Sequence, residues 1–215
     1  MSDFTIRHYK NTLQKYKDAG YVFRDAITPW RGGAGLPLAD SCKTIVLVHD
    51  VDHDISLCSN FLDAEKELSV ISTYFLRLHA RQYNMLSPAS IEIAKKILNA
   101  GQQIGLHYEP SFCPPHMSSE EHLESEFKIL STVLGKDIKC FNIHEPVRTG
   151  IDVKDLIPEK NRCPNSSTFR DFKYLSDSSC RWREGCFSLH LNKWKKLLVS
   201  THPLWWYKNS PTENY

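Results

Sequence analysis

The sequence predicts an α/β fold built on a mostly parallel sheet. Short β-branched runs alternate with amphipathic helical stretches through the middle of the chain. Helix start and stop signals punctuate that alternation at the expected intervals. Neither an internal repeat, nor a low-complexity tract, nor a linker interrupts it, and 215 residues suit one domain spanning 1–215.

The first element is an amphipathic helix near the N-terminus, with Tyr9, Leu13 and Tyr16 on one stripe and Gly20 as its stop. Thr44 to Val48 reads as a buried strand, because a short β-branched run suits a position covered on both faces. Ile55 to Leu68 has helical spacing, with Cys58, Phe61, Leu62 and Leu68 on one face and Asp54 placed to cap it. Val70 to Leu78 is the next strand. A helix follows, with Ser87 as N-cap, Pro88 in its first turn, Ile93, Ile97 and Leu98 on its apolar face, and Gly101 at its end. Gln103 to Leu106 is a short strand leading into His107. Ser118 and Glu121 make a capping box for a helix carrying Leu123, Phe127, Leu130 and Leu134 and ending at Gly135. Ile138 to Ile143 is a fourth strand, residues 151–167 read as a loop, and Phe172 to Leu175 and Leu197 to Ser200 are two late strands. Six or seven such strands either close into a small barrel or stay open, and spacing alone does not choose.

Composition excludes several classes. Hydrophobic residues at 41% and charged residues at 24% support a packed core and argue against disorder. The net charge of +2 is too small to imply a nucleic-acid partner, and the cluster Lys193, Trp194, Lys195, Lys196 reads as a solvated strand edge. No run approaches the roughly 20 apolar residues of a membrane span, and the N-terminus lacks the apolar core of a signal peptide. Seven cysteines with no CxxC pair argue against a disulfide framework or structural zinc and for a reducing compartment, so the expected location is the cytoplasm. There is no GxSxG elbow, no GxxxxGK[ST] loop and no GxGxxG after a strand. Gly32, Gly33 and Gly35 follow no strand and read as a flexible loop.

Function is carried by the residues just beyond each strand. The first strand runs into His49, Asp50, Val51, Asp52, His53 and Asp54, the second into Arg77 and His79, and the third into His107, Tyr108 and Glu109. The fourth runs into His144 and Glu145, and the late ones into Asp177 and His202. In parallel α/β folds these strand ends share one face, where active sites are built. Imidazoles and carboxylates converging there suit a divalent metal of the zinc or iron class with an open position for water. Asp50 and Asp52, two acids two positions apart on an apolar strand, are costly to hold unless something compensates their charge. His49 reads instead as a satisfied core histidine. His8, His79, His116, His122 and His190 have no context that marks them as ligands.

The ordered segments VLVHDVD, STYFLRL and GQQIGLHYE, followed by FKYLSDSSCRW and LLVSTHPLWW, resemble the polysaccharide deacetylase family with the NodB homology domain. The similarity is to the branch whose first motif reads HDVD, and it extends over most of the chain. The resemblance implies a distorted (β/α)7 barrel and metal-assisted removal of an acyl group, usually acetyl, from an amino sugar. It makes Asp50 the general base, Asp52 and His107 metal ligands, and His202 the proton donor. It places Asp177, Trp182, Trp205 and Trp206 along the substrate groove, with core packing an equal reading for Trp182. Many family members carry a second histidine four residues after the first, where this chain has Ser111. The third ligand then comes from elsewhere, with His144 the first candidate and Glu109 the second, and Arg148 is a loose match to the arginine that often follows the fourth strand.

The expected function is therefore a metal-dependent hydrolase, with zinc as the expected ion, acting on an N-acylated amino sugar or glycan precursor. Two rivals stay open: a metal-independent amide hydrolase on the same barrel, and a non-catalytic sugar-binding protein. Substrate identity and oligomeric state are not legible in the sequence.

Overall fold

Residues 3–27, 42–145, 148 and 171–214 are described in a computed structural model. Helix α1 (Ile6–Asp18) opens the chain, capped by the Thr5 side chain, which accepts from the His8 N–H. Its Tyr9, Leu13 and Tyr16, spaced four and three residues apart, are fully buried, the single apolar stripe expected of a helix lying on a core. Gly20 ends the segment at φ 81°, a left-handed conformation that favours glycine. The strands are β1 (Val22–Arg24), β2 (Thr44–Val51), β3 (Thr73–Leu76), β4 (Gln103–Tyr108), β5 (Phe141–Ile143), β6 (Lys173–Ser176) and β7 (Lys196–Thr201). Among the described residues the longer helices are α1, α2 (Cys58–Leu68), α3 (Pro88–Asn99) and α4 (Ser119–Leu134).

All strand pairings are parallel, in the order β5-β4-β3-β2-β7-β6. β1 pairs with Thr44–Val46 at the start of β2, and β3 with Val48–Val51 further along it. The sheet is a curled half-barrel of the distorted (β/α)7 type. Among the described residues no pairing joins β5 to β6.

The caps read from sequence form as expected. Asp54 accepts from the Ser56 N–H, Ser87 caps α3, and Ser118 with Glu121 closes a reciprocal capping box on α4. The bounds differ in an informative way. The expected strands 70–78 and 138–143 contract to β3 and β5, whereas β2 and β4 run on through His49–Val51 and His107–Tyr108. Asp50 and His107 therefore stand on the last rungs of the ladder, where backbone hydrogen bonding fixes them. The expected loop 151–167, Gly32, Gly33, Gly35 and Cys163 lie outside the described residues.

Side chains alternate across a strand, and this sorts the core into two layers. On one face of the sheet, Ile45, Leu47, Val51, Tyr74 and Leu76 join the residues of α1 and α2 in the larger cluster. On the other, Val46, Val48, Phe75, Cys140 and Leu198 form a smaller inner cluster. Gly105 on β4 belongs to this inner layer, since a Cβ there would lie 2.5 Å from the Phe75 ring. Following the same parity toward the strand ends leads from Val48 to Asp50 and Asp52, from Phe75 to Arg77, and from Gly105 to His107. It leads likewise from Cys140 to Asn142 and His144, and from Leu198 to Ser200 and His202. The inner layer thus changes from apolar to polar at one end of the sheet, and that end is the site.

Candidate metal and catalytic centre

A cleft of about 1590 Å³ opens at this end, lined by Asp50, Asp52, His107, His144, His202, Trp182 and Trp205 among others. Three atoms converge on its floor. Asp52 Oδ1, His107 Nε2 and His144 Nδ1 lie 3.2 Å from one another along each side of a triangle. The chain topology explains the meeting: β2 ends at Val51, and β4 and β5 pair with His107 opposite Asn142, so His144 falls just beyond the rung of His107.

The triangle fits a divalent ion. Asp52 Oδ1 is buried, and no neighbour among the described residues meets it with hydrogen-bond geometry. The His107 Nδ1–H donates to Asn142 Oδ1, which fixes the tautomer and turns a bare Nε2 toward the triangle. With both imidazoles neutral, three lone pairs face one point in a buried place, and either a cation or protons on the rings must sit among them. Zinc bonded at about 2.0–2.1 Å to three corners of a tetrahedron would space those corners about 3.3 Å apart, close to the separation seen. Burial pushes the Asp52 carboxyl upward, and the two imidazoles outweigh it and hold it well below the usual carboxylate range. His107 is lowered by burial but raised, on balance, by the charges of Asp50 and Asp52 and the hydrogen bonds it makes.

Asp50 stands beside the triangle. Asn142 Nδ2 donates to its Oδ1 at 2.6 Å and Ser200 Oγ to its Oδ2 at 3.0 Å, leaving one further lone pair on each oxygen. Asn142 therefore orients a metal-type ligand with its carbonyl and the neighbouring acid with its amide. Across the cleft, His202 Nε2 lies 3.8 Å from both Asp50 Oδ2 and Asp52 Oδ2. Its Nδ1–H donates to Asp177 Oδ1 at 2.6 Å, and its backbone N–H points at the same carboxylate. Burial lowers the His202 pKa, but the hydrogen bond and charge of Asp177, helped by Asp50 and Asp52, push it up to about 9. In the metal-free site these neighbours favour the protonated His202 imidazole, with Nε2 directed into the cleft.

No family model and no curated protein matches the chain by sequence. Solved structures do match. A mutant of a family 4 carbohydrate esterase pseudoenzyme from Bacillus anthracis, with restored enzymatic activity, superposes with a TM-score of 0.50 at 16% identity, covering 81% of this chain and 60% of that one. The fold is that of a family 4 carbohydrate esterase. A Streptococcus pyogenes deacetylase in complex with acetate matches at 17% identity and TM-score 0.46, over 63% of this chain and 61% of that one. A further family 4 carbohydrate esterase from Bacillus anthracis matches at 14% identity and TM-score 0.46, over 89% and 76%. The chain spans about three fifths of the length of the first of these structures.

Within this esterase fold, the residues expected along the groove divide into two pairs. Trp182 and Trp205 are part-buried and line the cleft. Asp177 and Trp206 do not reach it. Both are 0% exposed, and the Trp206 Nε1–H donates to Asp177 Oδ2 at 2.7 Å, so this pair forms a floor beneath His202. Glu109, the second candidate for the third ligand, is taken up by Arg77, whose Nε and Nη2 donate to its two oxygens at 3.0 and 2.6 Å. The remaining Arg77 nitrogen Nη1 donates to the Asp52 carbonyl, bracing the end of the acidic motif. Ser111 is exposed on a 3-10 turn, and the third corner of the triangle belongs to His144. Arg148 is exposed and pairs with Glu145 at the rim. Asn142 and Ser200 carry no role in the sequence motifs, and Arg77 appears there only as a strand-end residue with no role assigned. Their strand parity with His144, Glu109 and His202 is the signal that points to them.

Among the described residues, no helix is long and apolar enough to cross a membrane.

Proposed function

We propose that this chain is a metal-dependent hydrolase that removes an acyl group, acetyl foremost, from the nitrogen of an amino sugar. The observation that supports this best is the 3.2 Å triangle of Asp52, His107 and His144 set between Asp50 and the protonated His202. Asp52, His107 and His144 would hold the ion, and zinc suits two imidazoles with one carboxylate and an open position. Such an ion supplies a Lewis acid that acidifies water and polarises a carbonyl.

The chain's own groups divide the proton transfers. Asp50, held by Asn142 and Ser200 with lone pairs to spare, takes the proton of the attacking water. His202 gives its Nε2 proton to the departing amine, and Asp177 keeps the imidazole charged until then. Each such transfer contributes roughly 10²- to 10⁴-fold. Trp182 and Trp205 at the cleft wall offer apolar ring area to a sugar.

The test is metal content beside turnover. Purified protein should hold zinc, lose it on Asp52→Ala and His107→Ala, and release acetate from some member of a panel of N-acetylated amino sugars. Turnover that survives complete chelation would favour the metal-independent hydrolase. Protein that binds zinc and sugar without turnover would leave a binding role.

A further inference from the structure

A second group of ligand-type side chains lies apart from the first and shares no residue with it. His79 follows β3, while His122 and Glu126 stand four residues apart on one face of α4. One ligand atom from each of the three lies within 4.8 Å of the others. Glu126 Oε1 is 2.6 Å from His79 Nε2 and 3.2 Å from His122 Nε2. Both imidazoles therefore turn the same ring nitrogen toward one carboxylate.

The second observation concerns the other oxygen. The Glu126 side chain is 3% exposed, and among the described residues its buried Oε2 has no hydrogen-bond partner. A carboxylate that faces two nitrogens with one oxygen and nothing with the other is under-compensated for so buried a place. The surroundings hold the rings as ligand environments do. Phe112 stacks on the His79 ring at 4.4 Å, with 7° between the planes. Tyr108 Oη lies 2.9 Å from His122 Nδ1 and 3.4 Å from the Ser119 carbonyl. When Tyr108 gives its proton to that carbonyl, His122 carries its own proton on Nδ1 and presents a bare Nε2 to Glu126, the form a metal takes. His79 lines the cleft and its side chain is about one-third exposed, so an ion has a route in and one coordination position can stay open.

We propose that His79, His122 and Glu126 form a second divalent-metal site, of the zinc class, tying the end of β3 to α4 at the side of the cleft. Two imidazoles and one carboxylate are the donor set that zinc prefers among common cations, and magnesium or calcium would need more oxygen. The neighbouring charge does not oppose an ion, because Arg77 is already neutralised by Glu109. The site does not depend on the function proposed for the Asp52 triangle.

Zinc titration of the full-length protein tests this, with bound metal measured after gel filtration and helical content checked by circular dichroism. The Asp52→Ala/His107→Ala double variant removes the first triangle and should still hold about one zinc. Adding His79→Ala should abolish that remaining equivalent. His79 is partly exposed, so this change leaves the core intact; Glu126→Gln, of equal shape, should act in the same direction. Cobalt substituted into the double variant should give a tetrahedral-type visible absorption that His79→Ala removes. A folded double variant that binds no zinc overturns the proposal, as does an equivalent that persists after both His79→Ala and Glu126→Gln. Loss of metal only in the Asp52 and His107 variants, with none lost on His79→Ala, would leave the first site standing and refute the second.

Discussion

Replacing Asp177 by Asn perturbs the site from below, since Asp177 does not line the cleft and acts on it through His202. Asp177 is fully buried and accepts from the His202 backbone N–H, the His202 Nδ1–H and the Trp206 Nε1–H. Asparagine keeps the shape but offers one oxygen and one N–H2, so at least one donor is left facing a donor. That mismatch costs about 1–3 kcal/mol. The lost charge acts on His202, which Asp177 does most to raise from 6.5 to about 9. A rise of that size is linked to roughly 3 kcal/mol of stability as an order of magnitude. The folded pKa lies above the unfolded one, and this sets the sign. The contribution is fully present below pH 6.5, fades as the pH rises through 9, and is gone beyond it. Metal-free Asp177→Asn should therefore be less stable than the parent by about 2–4 kcal/mol at pH 6, with the gap narrowing by pH 9.5 toward the hydrogen-bond part alone. Histidine NMR titration and urea unfolding at the two pH values measure both halves. A parent His202 that titrates at or below 6.5, or a variant that titrates with the parent, would refute the assignment of Asp177 as the group that keeps His202 charged.

Asn142→Ala frees the His107 ring and should weaken zinc binding about 10- to 100-fold in a chelator competition, with the fold unchanged by circular dichroism. Asp50→Asn should lower kcat by about 10²- to 10⁴-fold while bound metal, measured by atomic absorption, stays at the parent level. Arg77→Met strands Glu109 as a buried charge and should cost about 3–5 kcal/mol in urea unfolding; Arg77→Met with Glu109→Leu should recover much of it. Gly105→Ala brings a methyl to 2.5 Å from the Phe75 ring and 2.9 Å from the Cys140 carbonyl, and should cost about 1–3 kcal/mol, partly relieved by Phe75→Leu.

Local signals made most elements legible. The stripe of Tyr9, Leu13 and Tyr16, the Ser87–Pro88 start and the Ser118/Glu121 box each involve residues within one or two helical turns, and all form as read. Strand bounds were less legible, because a strand ends where its neighbours stop pairing, and pairing is not local. β1 is three residues long and held by Thr44–Val46 alone, too short for a pattern. At the site, charge and motif order drew attention to Asp50, Asp52, His107, His144 and His202, and the structure brings all five to one cleft. Asp177 and Trp206 sat near the motif in sequence but beneath the site in space, a difference of depth that linear proximity does not encode. Asn142 was missed because a neutral amide inside a strand carries no signal until its partner strand is known. His79, His122 and Glu126 carry no joint signal in the sequence for the same reason, since β3 and α4 meet only in the fold.

The two-residue period of β2 also explains why one tetrapeptide can serve two layers. Asp50 and Asp52 share parity with Val46 and Val48, so they continue the inner layer into the cleft. His49 has the opposite parity and enters the helix side, where it is 0% exposed. There its Nδ1 accepts from Thr201 Oγ1 at 2.7 Å and its Nε2–H donates to Glu65 at 2.6 Å. Glu65, on α2, also accepts from Tyr9, Tyr74 and Ser72, so one carboxylate joins α1, α2, β2 and β3. Such a network stabilises only while every member is satisfied, and removing one leaves the others exposed to the full desolvation penalty. The histidine of HDVD thus ties β2 to the helix layer from behind, while the two acids face the cleft from the front. A site whose three candidate ligands meet at 3.2 Å needs its strands held to a fraction of that distance. The buried Glu65 network, which touches no part of the cleft, ties the helix side of the central strand to α1 and α2, and the ladder with β3 and β7 holds its edges.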